Sequence, residues 1–98
     1  MYFITGFTEY NINTKGIPEI GHARTFGYYE TETDAIEAVL GNYCDIFECY
    51  YTYMVVEHIE PGLYNLATQS WFFKWNEKAR KYEAIDSLED CWGNYAFG

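Results

Sequence analysis

Ninety-eight residues are enough for one compact core and one domain, 1–98, but not for two. Phe, Trp and Tyr make up 21 % of the chain and hydrophobic residues 49 %, which excludes a disordered acidic tail. A net charge of −9 leaves too little cation to displace phosphate counterions, which excludes direct binding to nucleic acid through a basic surface. The charge is also uneven. Residues 1–24 balance, whereas residues 25–73 hold eight carboxylates and no Lys or Arg. The cations Arg24 and Lys74 bracket that interval.

In chain order, "MYFITGFTEY" alternates on both parities and predicts a strand with both faces partly covered. "NINTKGIPEIG" is turn-rich and reads as a loop or an irregular edge. "HARTFGYY" resumes the extended pattern up to Glu30, and the two strands are expected to pair antiparallel across that loop. Thr31, with Asp34 three residues on, reads as a capping box, and Glu32 suits the positive end of a helix. Steps of about 100° place Ala35, Ile36, Val39, Leu40, Tyr43, Ile46, Phe47 and Tyr50 on one side. Asp34, Glu37, Asp45 and Glu48 then fall on the other. This phase predicts one helix over 32–49, bent at Gly41, with Ile36 and Phe47 in the core. "YYTYMVVEHI" predicts a strand closed by a turn at Pro61-Gly62. "LYNLATQS" is ambiguous. "WFFKW" and "KYEAI" predict a hairpin around "NEKAR", with Trp71, Phe73 and Trp75 on one face. A short helical turn from Asp86 or Ser87 and a packed aromatic tail, "CWGNYAFG", follow. The sum is an α+β domain: an antiparallel sheet of about five strands with one long amphipathic helix on one face.

Chemistry is sparser. His22 and His58 have no nucleophile beside them in a recognised motif, and neither a P-loop nor a dinucleotide fingerprint is present. No enzyme is expected, and a small enzyme of unknown reaction is the most remote alternative. Cys44, Cys49 and Cys91 are odd in number and lack a CxxC pair. With His22 or His58 they match no standard zinc spacing, so neither metal nor cofactor is expected. No stretch reaches the roughly 20 apolar residues of a membrane span. Nor does a secretion signal open the chain, so a cytosolic protein with reduced thiols and no membrane contact is expected. The ring surplus exceeds one small core and predicts a homo-oligomer or a ring-lined pocket. Strand spacing puts Arg24, Phe26 and Tyr28 on one face, as a guanidinium and rings that grip a phosphate while a base stacks.

The segments "RTFGYYETETDAIEAVLGN", "YMVVEHIEPGLY", "WFFKW" and "NYAFG" resemble those of a family of small proteins encoded by phages and prophages of gut Firmicutes. That resemblance covers nearly the whole chain. It implies a phage accessory protein in the host cytosol, of a kind that often disarms host defence, and it carries no catalytic residue. Two functions follow as expectations. One is a sponge that sequesters a nucleotide-derived signal uncleaved, using Arg24, Phe26, Tyr28, Trp71, Trp75 and Arg80. The other is an acidic inhibitor that sets Asp34, Glu37, Asp45 and Glu48 against a basic surface of a host nuclease.

Overall fold

Aromatic and β-branched residues build five strands of this chain into one antiparallel sheet. The computed structural model describes residues 1–8, 10–12, 14–16, 18–20, 23–43, 46–47, 51–63 and 66–86, with the backbone alone at 10–12 and 18–20. Its strands are β1 (Tyr2–Phe7), β2 (Tyr10–Ile12), β3 (Pro18–Ile20), β4 (Ala23–Tyr29), β5 (Tyr53–His58), β6 (Gln69–Asn76) and β7 (Lys81–Ile85). Five of them form a sheet in the order β4-β1-β5-β6-β7, and β2 pairs with β3 in a separate ribbon. The segment expected as a loop therefore contains that ribbon, with Tyr10 opposite Ile20 and Ile12 opposite Pro18. The expected pairing of the first and fourth strands is present, from Tyr2 opposite Tyr29 to Phe7 opposite Ala23.

β1 and β5 are the central strands, and both parities of each are buried. On one face Ile4, Met54, Val56, Phe73, Trp75 and Tyr82 form the main core with Ala35, Ala38 and Val39 of helix α1 (Glu32–Leu40). On the other face Phe7, Val55 and Phe72 form a second cluster, joined by buried Thr5 and fully buried Glu57. The Tyr82 hydroxyl donates to the carbonyl of Tyr51, which ties β7 to the segment entering β5.

Helix α1 is nine residues long, half the length expected from the sequence. Its start is as read: the Thr31 hydroxyl accepts the Asp34 amide at 3.2 Å. Its end is at Gly41, where the amide of Gly41 donates to the carbonyl of Glu37 at 2.8 Å and that of Asn42 to Val39 at 3.0 Å. Asn42 then turns left-handed, at φ 49°. Its side-chain oxygen accepts the Phe47 amide at 3.0 Å. Ile46 and Phe47 still pack on the core, with Phe47 stacked on Trp75 at 3.9 Å. The apolar phase past Gly41 is thus kept by a shared sheet face, not by a continuous helix. Asp45, Glu48, Tyr50, His22, Cys44, Cys49, Cys91 and the expected turn and tail after Asp86 lie outside the described residues.

The β5 strand and the β6–β7 hairpin stand where the sequence placed them, the latter closed by residues 77–80. Among the described residues no helix is long and apolar enough to cross a membrane.

Candidate functional site

A β-bulge shapes the most distinctive surface. Ile4 lies opposite Gly27 and Thr5 opposite Thr25, so Phe26 is an extra residue in β4. Strict alternation would put Arg24, Phe26 and Tyr28 on one face. The bulge breaks that parity. Arg24 and Phe26 lie on the helix-covered face, with the guanidinium carbon 5.5 Å from the ring centroid. Tyr28 faces the opposite way and meets Phe3 at 5.6 Å. The Phe26 ring also meets Tyr51 edge-on at 5.0 Å and closes over Gly6, whose missing side chain makes the room.

Beside the bulge a groove of about 220 Å³ opens between β4 and α1. Ile4 and Gly27 floor it, Phe26 and Tyr29 line the strand side, and Ala38, Tyr43 and Ile46 line the helix side, with Tyr28 at its border. Tyr43 is half exposed there, at 49 %. On its outer edge β4 pairs with no strand among the described residues, so main-chain groups run alongside an apolar trough.

Charge flanks the two ends of β4 with opposite sign. Arg24 stands near its start. Glu30, Glu32, Asp34 and Glu37 follow its end, all exposed, and none forms an ion pair among the described residues.

The other predicted ligand residues lie apart. Trp71 is on β6, in the cross-strand row of Val56, Ile4 and Gly27 but three strands from β4, and it meets Tyr2, whose ring stacks on His58 at 4.5 Å. His58 Nδ1 is 2.9 Å from the Thr68 hydroxyl and its Nε2 is 3.6 Å from Glu60, so both ring nitrogens are engaged. Trp75 and Arg80 belong to the β6–β7 hairpin, roughly 14 Å from Arg24 by three strand spacings. There the Trp75 indole N–H donates to Glu77 at 2.8 Å, and Arg80 pairs with the other oxygen at 2.7 Å. These bonds, the indole first, hold the Glu77 carboxyl below its ordinary range. A more open hollow on this hairpin is lined by Lys74, Trp75, Glu77, Lys78 and Glu83 among others.

The structure thus joins Arg24 and Phe26, sets Tyr28 at the border of their groove, and separates Trp71, Trp75 and Arg80 from them. Of the predicted acidic stripe, Asp34 and Glu37 are on α1, while Asp45 and Glu48 lie outside the described residues. Gly27, Tyr29, Tyr43 and Ile46 were not singled out by sequence reasoning. The available signal was Gly27 itself, a glycine inside an aromatic strand, which marks a bulge or a close approach. Among the described residues no three His, Cys, Asp or Glu side chains converge on a metal position. Comparison with family models, with curated proteins and with solved structures returns no match.

Proposed function

We propose that this chain is a non-catalytic binding protein that docks on a basic protein partner through the end of β4 and the start of α1. One observation carries the reading: among the described residues, Glu30, Glu32, Asp34 and Glu37 stand exposed without cationic partners, beside an apolar groove and an open strand edge. Uncompensated charge at such a place speeds encounter with an opposite surface and rejects wrong partners. The resemblance to phage accessory proteins supplies a setting, the cytosol of an infected cell, and a candidate partner, the nucleic-acid-binding surface of a defence nuclease. Titration with poly-lysine tests the chemistry. Binding that weakens with salt and is lost in Glu32→Lys/Glu37→Lys supports it. Binding unchanged by that double substitution overturns it.

A second reading has its own support. The Arg24 guanidinium lies 5.5 Å from the ring of Phe26, a residue that lines the groove, which suits a nucleotide-type ligand whose ring enters the groove and whose phosphate meets the guanidinium. It needs neither Trp71 nor Trp75 and Arg80. Isothermal titration with cyclic dinucleotides and ADP-ribose, repeated on Arg24→Ala, tests it: binding lost while melting is unchanged favours the sponge.

A further inference from the structure

An exposed strand edge beside a groove roofed by a helix can accept an extended peptide as an added strand. Main-chain hydrogen bonds supply affinity, and alternate side chains enter the groove. Among the described residues β4 and α1 make that arrangement, with Gly27 leaving open space in the floor where any other residue would project a side chain. We propose that β4 captures an extended peptide segment with a cationic N-terminal end, an apolar middle and an anionic C-terminal end, paired antiparallel as a sixth strand. This rests on the docking function above and deepens it by naming what the basic partner offers.

Charge fixes both occupant and direction. A peptide antiparallel to β4 has its first residues beside Glu30 and Glu32 and its last beside Arg24. Cations are therefore matched at its start and a carboxylate at its end. The parallel orientation would set like against like at both ends. The bulge contributes as well. It turns the outer edge at Phe26, so that Gly27–Tyr29, the stretch along the groove, faces a partner at a different angle from Ala23–Thr25. An apolar side chain two or three residues after the cations falls over that stretch.

The test uses a fluorescent peptide, Lys-Lys-Val-Thr-Leu-Thr-Val with a free carboxylate, and the full chain. Saturable binding is expected, with slowed hydrogen exchange at alternate amides of β4. Gly27→Val fills the groove from its floor, where a Cβ meets no atom within 4 Å, and a thermal melt checks that the variant keeps its fold. It is expected to weaken binding by about tenfold or more. Tyr43→Ala removes an exposed wall and is expected to weaken it severalfold. Replacing both lysines by glutamates should abolish binding. Equal binding by Gly27→Val, or β4 amides that stay unprotected, overturns strand addition. If poly-lysine still binds in that case, carboxylate docking stands without it; if poly-lysine also fails, both fall. Protection of β4 without peptide, together with a dimer by light scattering, would assign the edge to a second copy and overturn the proposal. A mononucleotide that displaces the peptide while unlabelled peptide does not would assign the groove to the small-molecule reading and overturn it equally.

Discussion

Two glycines at neighbouring places in the sheet make opposite demands. A Cβ on Gly6 would stand 2.7 Å from the Met54 sulfur and 2.9 Å from the Phe26 ring, inside the main core. Gly6→Ala is therefore expected to cost about 1–3 kcal/mol by overpacking, read as a lower urea midpoint. Gly27 meets nothing within 4 Å, and its backbone is not left-handed. Gly27→Ala is expected to gain about 0.4–1 kcal/mol by restricting the unfolded chain, read on the same urea curve. Glu77 offers a pH test at the same scale. Its carboxyl is held below the ordinary value of 4.5, by the Trp75 indole first and Arg80 second. Lowered in the fold, it contributes stability above that value and loses it as the pH falls below. The drop in melting temperature from about pH 5 to about pH 3 should therefore be smaller in Glu77→Gln than in the parent.

At the scale of elements, the short helix is the informative one. Glu37 lies in its last turn, where a cation is favoured, and no basic residue is present there. Glu37→Lys is expected to stabilise by about 0.3–1 kcal/mol, and Thr31→Ala to destabilise by about 0.5–2 kcal/mol through the lost cap. Asn42→Ala should be costlier than a surface change, since it removes the bond to the Phe47 amide and leaves a left-handed residue without its usual tolerance. Thermal melts of the three variants check the order. Strand identities, the β6–β7 hairpin and the helix start were legible because period-two alternation and a Thr cap are local signals. The helix end was not legible from phase. Apolar side chains past Gly41 point at the same sheet face as those before it, so periodicity cannot distinguish one helix from a helix and a turn. "GN" itself was the better signal: a small residue followed by one that tolerates positive φ. The face of Tyr28 was likewise hidden, because one inserted residue reverses parity and alternation alone does not locate the insertion. The groove depends on that same residue, so it was hidden too.

For the whole molecule, the opposed charges at the ends of β4 and the two-sided burial of β1 and β5 divide the fold into a rigid centre and a receptive edge. Hydrogen exchange is expected to be slowest at the amides of β1 and β5 and faster along β4 and β7, the two outer strands. Exchange that is slowest in β7 would contradict this division.

The position of β1 has a consequence in time. β1 lies inside the finished sheet, between β4 and β5, and the second of these neighbours ends only at His58. Until β5 is made it offers a bare, hydrophobic edge to any other nascent chain on the same message. Among the residues made during that wait, 25–58 carry seven carboxylates and no Lys or Arg. Repulsion between such segments keeps unfinished chains apart until β5 closes the gap. The charge asymmetry is then expected to serve manufacture as well as the proposed recognition.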